Sequence, residues 1–462
     1  MKKYLLRAFL LAAVSIVFVA NAYAEIKVDY GAAFRLRQEI WDDAVDLGTS
    51  QADRNFIRLR TSVWGKADFT PDLGAYLRLT NEAKDYALGP FKAYKTNPNR
   101  DNLDPDELVI DNLYADAKNV FGLPVDLRIG RQDFIGVYGE GFLFMDGTPG
   151  DGSRTFYFNA ARVNVKVNPC FNFDLTYITD PKTDIYMPSI HPAVRGPLYV
   201  DNKKLLTGSN EQAFLVYGRG KLLDNLTIEP YYVYKTEQPI NGGIDLTKLK
   251  LNTIGARALY SINSWNFGGE FAHQWGEYDS GRDRTGNGGY VFVNRKYDAI
   301  TWKPEFDLRY VYLSGNKSSF DVAHPGNDKV NTWDPLFSRN PYWNELLIYT
   351  LVGETAKFGG PIPGYWTNME IAKATFKLNF TPTTNLALAY QYLWAPESTK
   401  GLNPALFSNS GTSRGHLPTA ILNHAFSKNI DGMLQLEYFV PEGFYAVKDN
   451  ATFFRWQLQF RI

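Results

Sequence analysis

Arginine residues recur two positions apart in several segments of the 462-residue chain, for example at Arg35 and Arg37. In an extended strand this spacing places both side chains on one face. A guanidinium group is planar, permanently charged and able to bind a carboxylate or phosphate in a paired geometry, so a row of them facing water favours anions. The candidate anion-binding residues are Arg35, Arg37, Arg58, Arg60, Arg78, Arg128, Arg131, Arg162, Arg257, Arg309, Arg455 and Arg461.

Acidic residues share these faces, and they leave two interpretations open. In the first, the arginines line a constriction and stabilise passing anions. In the second, they pair with the acids in a salt-bridge lattice that stiffens a wall. The acids in question are Glu39, Asp68, Glu82, Asp126, Glu270, Asp307 and Glu437.

Motifs for catalysis and metal binding do not accompany the arginines. The five histidines are scattered, and the sequence has no H-E-x-x-H, no G-x-S-x-G and no Cys/His cluster. Asp146 and Asp151 could ligate calcium, but each precedes a glycine, and Asp-Gly turn chemistry explains them without a metal. The single cysteine, Cys170, excludes an intramolecular disulfide. We therefore predict no enzymatic activity, no cofactor and no metal site.

The elements that position the arginines are strands, because apolar residues recur with period two over stretches of about ten residues. Between Ile57 and Phe69, apolar and small residues fall on one face and polar residues on the other. The last stretch, from Phe453 to Ile462, repeats this pattern. One face suits lipid and the other suits water.

The connections between these strands alternate in length, and this alternation predicts the architecture. Short turns and long, polar, Gly- and Pro-containing segments follow each other, with eight short and nine long connections joining eighteen strands. A transmembrane antiparallel β-barrel has this pattern, with short periplasmic turns and long extracellular loops. The predicted short turns are 70–72, 119–124, 168–170, 221–225, 262–264, 302–304, 381–384 and 428–430. The predicted long loops are 42–53, 85–107, 133–155, 180–210, 238–249, 278–289, 315–366, 395–413 and 441–450.

Two loops need separate treatment. Residues 343–350 have strand character, but one extra strand would break the even count, so they are placed inside the loop 315–366. A barrel of twenty strands is the alternative. The loop 136–152 carries an apolar run at residues 142–145 and is predicted to fold into the lumen and narrow it. Because the first and last strands adjoin in a closed barrel, Arg35, Arg37, Arg455 and Arg461 are expected on neighbouring strands.

Composition agrees with this architecture and excludes other classes. Basic and acidic residues balance at 49 each, which argues against a nucleic-acid-binding protein. A mean hydropathy of -0.30 is too low for a polytopic helical membrane protein. Residues 1–24 resemble a secretory signal, with a basic start and an Ala22-Tyr23-Ala24 cleavage site. Removing their three basic residues leaves 46 basic residues against 49 acidic ones. Residues 25–462 are expected to form a single barrel domain.

Aromatic residues near strand ends fit interfacial girdles in an outer membrane. Those predicted to face inward, Trp41, Trp64 and Tyr76, could instead form stacking surfaces for sugar rings. Both interpretations stay open.

The run Leu127-Arg128-Ile129-Gly130-Arg131-Gln132, followed by Ala161-Arg162-Val163, resembles the alginate-export family of outer-membrane barrels. The stretch from Gly415-His416-Leu417 through 436–441 to Phe454-Arg455 is similar to porin-like members. The resemblance implies an eighteen-stranded barrel with an Arg-rich pore, and its motifs carry over to Arg128, Arg131 and Arg162.

The expected function is that of an outer-membrane porin passing small hydrophilic solutes, anionic or saccharide, through an Arg-lined pore. One alternative is a dedicated exporter of an anionic polysaccharide such as alginate. Another is a scaffold that sheathes a partner such as an electron-transfer protein. Membrane lipid is an expected partner, nucleic acid is not, and a homo-oligomer or protein partner stays undetermined.

Overall fold

The computed structural model describes residues 26–43, 54–85, 104–145, 157–191, 199–201, 208–239, 245–316, 329–337, 344–347, 367–398, 407–408, 410–446 and 448–462. The expected signal sequence and the two loop aspartates at 146 and 151 lie outside the described residues. Within the described ranges, no helix is long and apolar enough to span a bilayer.

Eighteen long antiparallel strands form one closed sheet in which each pairs with its neighbours in the chain. Two further three-residue strands, β8 and β9, form a hairpin in the connection between β7 and β10. The strands are β1 (Lys27–Asp42), β2 (Arg54–Thr70), β3 (Leu73–Asp85), β4 (Asp104–Ala117), β5 (Val125–Gln132), β6 (Phe158–Asn168), β7 (Phe171–Asp180), β8 (Ser189–His191), β9 (Tyr199–Asp201), β10 (Glu211–Leu223), β11 (Leu226–Glu237), β12 (Leu249–Ile262), β13 (Trp265–Tyr278), β14 (Asp283–Lys296), β15 (Glu305–Leu313), β16 (Met369–Thr381), β17 (Thr384–Trp394), β18 (Ser413–Ala425), β19 (Ile430–Pro441) and β20 (Ala451–Arg461).

The first and last barrel strands close the sheet. Glu39 of β1 lies opposite Arg455 of β20 in an antiparallel ladder. Beyond the ladder, Ala32 and Ile462 exchange two backbone hydrogen bonds with N–O distances of 3.0 and 2.9 Å. Closure leaves no unpaired sheet edge, which is the reason a β-sheet can span a membrane.

The strand number confirms the prediction of an eighteen-stranded barrel and excludes the twenty-stranded alternative. The hairpin of β8 and β9 lies beside the barrel wall, where β8 pairs with Leu108 and Val109 of β4. Of the ambiguous segment 343–350, residues 345–347 form a helical turn rather than a strand.

Alternation along the strands separates an apolar outer face from a lumen face. On the outer face, large side chains such as Val63, Phe271 and Val291 are exposed. On the lumen face of the same wall, Tyr231, Val233 and their neighbours are buried. The outer face is therefore the surface that lipid would cover.

The loop predicted at 278–289 is wrong in extent, because β14 begins already at Asp283. The glycines that made this stretch resemble a loop lie inside the strand instead. A Cβ atom on Gly288 would lie 2.7 Å from the indole of Trp333, which packs on the strand from the lumen. Glycine is needed here for close approach rather than for a turn.

The turn predicted at 302–304 is also longer, since β14 ends at Lys296 and β15 begins at Glu305.

Candidate functional site: the lumen and its charged wall

The segment that follows β5 folds into the lumen and packs on β7 and β10. The Tyr138 hydroxyl lies 2.6 Å from the Thr176 hydroxyl of β7. The Gly139 backbone amide donates to the Tyr217 hydroxyl of β10 at 3.1 Å. The segment 133–145 therefore contacts strand residues that follow it by 38 and 78 positions in the chain.

Aromatic packing fills the lumen at this level. The ring of Phe144 lies 4.5 Å from that of Tyr231, and Phe134 stacks on Phe158 at 4.8 Å between centroids. The prediction that the loop 136–152 folds inward is confirmed for its described part, residues 136–145. The lumen is narrowed here by buried apolar groups: Phe134, Tyr138, Phe142, Leu143, Phe144 and Met145.

A second segment, residues 329–337 between β15 and β16, also lies in the lumen. Asp334 contacts Lys235 at 3.2 Å and Arg284 at 3.5 Å, and its backbone carbonyl accepts from Gln274. Burial disfavours the charged form of Asp334, but the two cations outweigh this effect and hold the pKa of the carboxyl below its ordinary value. The Met145 amide donates to the Leu336 carbonyl at 3.2 Å, which joins the two inward segments.

A third contact comes from the turn 344–347, which lies against β19 and β20. The Glu345 carboxylate accepts from Arg455 at 2.6 Å. The backbone amides of Glu345 and Leu346 donate to the carboxylate of Glu437 at 3.0 and 2.9 Å. All four residues of the turn are buried, so the turn covers this part of the wall.

The wall under this turn carries the densest group of predicted arginines. In the ladder of β1 and β2, Arg37 lies opposite Arg58 and Arg35 lies opposite Arg60. The expectation that Arg35, Arg37, Arg455 and Arg461 lie on neighbouring strands is confirmed, since the first two belong to β1 and the last two to the adjoining strand β20. We refer to Arg35, Arg37, Arg58 and Arg455 as the arginine cluster.

Two strand carboxylates serve the whole arginine cluster. Glu39 lies 2.8 Å from Arg37, 3.2 Å from Arg58 and 2.6 Å from Arg455. Glu82 of β3 lies 3.1 Å from Arg58 and 3.9 Å from Arg35. The cluster side chains are at most 6% exposed, so these charges act in a medium that screens them poorly.

On the opposite wall, Glu140 of the first inward segment lies between two predicted arginines. Its carboxylate is 2.5 Å from Arg309 and 3.8 Å from Arg257. Arg257 also pairs with Glu229 at 2.9 Å. Arg78, nearer the start of the same segment, is held by Asp111 and Asp133 at 3.0 Å each.

A cavity of about 690 Å³ lies near the short-turn end of β4–β7 and β10. Arg128 and Arg162 line it, and their side chains are 31% and 22% exposed. They pair with Asp116 at 2.7 Å and Asp174 at 3.0 Å. The other basic residues on its lining are Lys118, Lys166 and Arg219.

The structure places Arg131 differently from the sequence prediction. It is three residues from Arg128, so strand alternation puts it on the opposite face, and it lies beside Leu113 of β4 rather than in the lumen row. Its side chain is buried under the connection between β7 and β8 and bonds to Asp184 at 2.8 Å. Arg461 lies at the short-turn rim, 52% exposed and paired with Asp431.

The salt-bridge lattice accounts for the contacts of most predicted arginines, because each has a carboxylate within 4 Å. These arginines are Arg35, Arg37, Arg58, Arg78, Arg128, Arg131, Arg162, Arg257, Arg309, Arg455 and Arg461. A lattice does not exclude an electrostatic bias, because the lining of the cavity near the short-turn end holds five basic residues and two acidic ones. Pairing with carboxylates and a preference for anions are therefore compatible properties of the predicted arginines.

The inward aromatic residues stack on one another. Trp64 stacks on Tyr76 at 6.1 Å, Tyr76 stacks on Tyr114 at 5.1 Å, and Arg128 covers the far face of this row at 3.9 Å from the Tyr114 centroid. Trp41 is buried against Phe453. A sugar ring needs an open aromatic face, and these faces contact neighbouring side chains, so this arrangement does not support a sugar slide.

Sequence reasoning missed the loop carboxylates that reach the wall, namely Glu140, Asp334 and Glu345. Strand phase assigns a face only to residues on strands, so it could not place them. Arg219 was also missed, although it alternates with the inward Tyr217 and was accessible to the same reasoning. Among the described residues, no group of three or more His, Cys, Asp or Glu side chains is arranged to hold a metal ion.

The sequence model of a family described as alginate export matches residues 193–414. This match confirms the family resemblance, although the motifs that suggested it, at 127–132 and 415–455, lie outside the matched range. No curated protein sequence matches the chain.

Solved structures share the fold at low sequence identity. OccAB1 of Acinetobacter baumannii aligns with a TM-score of 0.57 and 11% identity, covering 94% of this chain and 96% of that one. A BenF-like porin from Pseudomonas fluorescens Pf-5 aligns with a TM-score of 0.55 and 9% identity, covering 94% and 98%. OccK5 (OpdH) of Pseudomonas aeruginosa aligns with a TM-score of 0.53 and 12% identity, covering 94% and 98%. These alignments show that the chain shares its barrel fold with these structures.

Proposed function

We propose that this porin-like integral protein of the outer membrane, whose residues 193–414 match the alginate export family, is a channel for small hydrophilic anions, including sugar acids. Passage would be passive, along a lumen whose lining includes the predicted arginines Arg128 and Arg162. The proposal rests on one observation: basic residues outnumber acidic ones on the lining of the cavity near the short-turn end of β4–β7 and β10.

Excess guanidinium groups in a narrow lumen favour anions because a low-dielectric wall screens the charge poorly. The cavity near the short-turn end holds such an excess of basic groups. Five of its lining residues are basic, Lys118, Arg128, Arg162, Lys166 and Arg219, and two are acidic, Asp116 and Asp126.

Ion selectivity tests this proposal. We expect the purified protein in a planar bilayer to show a reversal potential of anionic sign in a tenfold KCl gradient. In the Arg128→Gln, Arg162→Gln double variant, Asp116 loses Arg128, and Asp174 keeps Arg219 but loses Arg162. We therefore expect the potential to move toward the cationic sign by more than about 10 mV, out of the roughly 59 mV of an ideally selective pore.

Lys221→Gln is the matched control, since Lys221 pairs with Asp224 in a short turn and its side chain is 52% exposed. This variant should keep the wild-type potential. A cation-selective wild-type channel, or a double variant with an unchanged potential, would contradict the anion channel.

The packed lumen favours small solutes over the two alternatives. The segments 133–145 and 329–337 fill part of the cross-section with buried side chains, which leaves little width for a polysaccharide in transit. The same filling argues against a partner protein sheathed within the described part of the barrel.

Export to the outer membrane requires a cleavable leader, and we propose that residues 1–24 supply it, leaving residues 25–462 as one barrel domain. We expect N-terminal sequencing of the membrane-purified protein to begin at Glu25. An intact Met1 in the membrane fraction would contradict cleavage. Replacing Ala22 and Ala24 with large residues should block processing, because the signal peptidase requires small side chains there.

A further inference from the structure

Arg295 belongs to the lipid-facing surface of the barrel and not to the lumen. It is the second-last residue of β14, and it lies opposite Trp265 of β13 and Phe306 of β15 in the two adjoining ladders. Both of these side chains are exposed on the outer face. Residues directly opposite each other in an antiparallel ladder share a face. Arg295 therefore lies on the outer face, at the short-turn end of the wall.

Two aromatic rings hold its guanidinium group. The Cζ atom of Arg295 lies 4.6 Å from the ring centroid of Trp265 and 4.5 Å from that of Tyr297. The rings are themselves packed, since Trp265 stacks on Phe267 and Tyr297 contacts Phe306 edge to face, each at 6.1 Å. Contact with a ring uses the face of a guanidinium group and leaves its N–H donors at the edge. We refer to Arg295, Trp265 and Tyr297 as the outer-face site.

Nearby acidic residues do not neutralise Arg295. Glu305 accepts from Asn294 on the lumen side of the wall, at 2.7 Å, and Asp298 is exposed in the turn after β14. The Nε atom of Arg295 is shielded from solvent and has no hydrogen-bond partner among the described residues. Arg295 thus places a permanent positive charge on an apolar surface, with no carboxylate within 4 Å in the described part of the chain.

The turn 297–304 adds a further aromatic group at this end of the outer face. Trp302 and Lys303 have φ angles of 64° and 40°, in the left-handed region that bulky side chains disfavour. Asn379 of β16 enforces this conformation, because its backbone and side-chain amides donate to the carbonyls of Trp302 and Lys303 at 2.7 and 2.9 Å. The exposed indole of Trp302 contacts Phe380 of the outer face, as expected of an interfacial tryptophan.

We infer that the outer-face site binds the phosphate of a glycerophospholipid in the periplasmic leaflet of the outer membrane. Short turns of an outer-membrane barrel face the periplasm, so Arg295 lies at the level where aromatic belts meet lipid headgroups. The N–H donors of an arginine match two phosphate oxygens at once. The rings of Trp265 and Tyr297 hold these donors in place before the lipid binds.

The surroundings of Arg295 favour a phospholipid over other anions. Phe267 and Phe306 are exposed next to the site, so a ligand that covers it meets apolar rings as well as a cation. A phospholipid satisfies both, because its phosphate adjoins its acyl chains. Inorganic phosphate satisfies only the cation. Solutes in the lumen do not reach the outer face, so the inference goes beyond the proposed function and does not depend on it.

Native mass spectrometry of the delipidated, detergent-purified protein tests the site. The probes are dioleoyl phosphatidylglycerol and dioleoylglycerol, which has the same acyl chains and no phosphate. We expect the wild type to bind a single phosphatidylglycerol molecule about tenfold more tightly than dioleoylglycerol, and Arg295→Gln to lose this preference. Millimolar inorganic phosphate should not displace the phospholipid.

Lys221→Gln is the matched control, because it removes an exposed cation that is paired with Asp224 at the same end of the barrel. This variant should keep the wild-type preference. Arg295→Lys keeps the charge without the planar group and should show an intermediate one. If Arg295→Gln does not fold into a heat-modifiable barrel, Trp265→Leu replaces it, since loss of one ring should also weaken phosphatidylglycerol binding.

Three results would overturn the inference. They are equal affinities of the wild type for the two lipids, an unchanged preference in Arg295→Gln, and displacement of the phospholipid by inorganic phosphate. A dimer that Arg295→Gln dissociates would also overturn it, because a second copy of the chain would then cover this face. The reversal potential of Arg295→Gln should equal that of the wild type. A cation-selective wild type would contradict the anion channel and leave the lipid site standing.

Discussion

Deleting residues 139–150 is expected to raise the single-channel conductance at least about twofold, because a barrel of this strand number encloses an aqueous lumen once nothing fills it. The segment fills that lumen with side chains that are 0–4% exposed between Phe142 and Met145. The deletion removes these apolar groups and also Glu140, so Arg257 and Arg309 become available to passing ions. Conductance and reversal potential in planar bilayers should change together.

The two effects are separable. Glu140→Gln alone keeps the packing and should strengthen anion preference with little change in conductance. A matched control exchanges residues 120–122 of a short turn, where Phe121 is 96% exposed, for Gly-Ser-Gly and should alter neither property. If the deletion variant folds and conducts like the wild type, the inward segment does not limit ion flow.

The strands and their number were predictable because lipid and water impose opposite requirements on alternate residues. Residues 57–69 show this pattern without help from any distant part of the chain. Parity of strand number then resolved the ambiguous segment 343–350, whose residues 345–347 indeed form a turn outside the sheet. The local sequence is sufficient to predict a strand when each side chain faces either lipid or water.

The lumen packing was predictable only in part, because it depends on contacts between segments far apart in the chain. The apolar run at 142–145 indicated an inward loop, yet nothing in it identified Tyr217 or Tyr231 as its partners. Likewise Gly288 resembles a loop residue until Trp333 is seen to pack on it. A glycine in a strand can indicate that another side chain packs closely on the backbone, but the local sequence does not identify that side chain.

The positions of the charged residues were likewise predictable on the strands but not in the loops. The rows that hold Arg35, Arg37 and Arg58 follow from strand phase, and the closing contact of Arg455 with Glu39 follows from joining the ends of the barrel. Arg131 was assigned to the pore by motif, against its own phase, and its partner Asp184 lies in a loop. Phase is the more reliable guide, because it is a geometric property of the strand.

The largest expected loss of stability comes from Glu39→Gln. Glu39 is fully buried and accepts from Arg37, Arg58 and Arg455, so neutralising it leaves three guanidinium groups with insufficient negative charge. Removing one partner of a buried ion pair costs about 3–5 kcal/mol, mostly because the remaining charge is not compensated. We expect the urea midpoint of unfolding to fall by about 1–5 M, given a slope of roughly 1–3 kcal/mol per molar.

Asp431→Asn is the matched control, because it also removes a carboxylate from an arginine of the end strands. Arg461 and Asp431 are 52% and 34% exposed, so water and salt compensate the remaining charge. The loss in free energy of unfolding should stay below about 1 kcal/mol.

Adding Arg37→Met to Glu39→Gln should restore part of the stability by removing one uncompensated cation. Equal losses in the two single variants would mean that water reaches the arginine cluster, and the cluster would then be an ordinary solvated surface of the pore rather than a buried network.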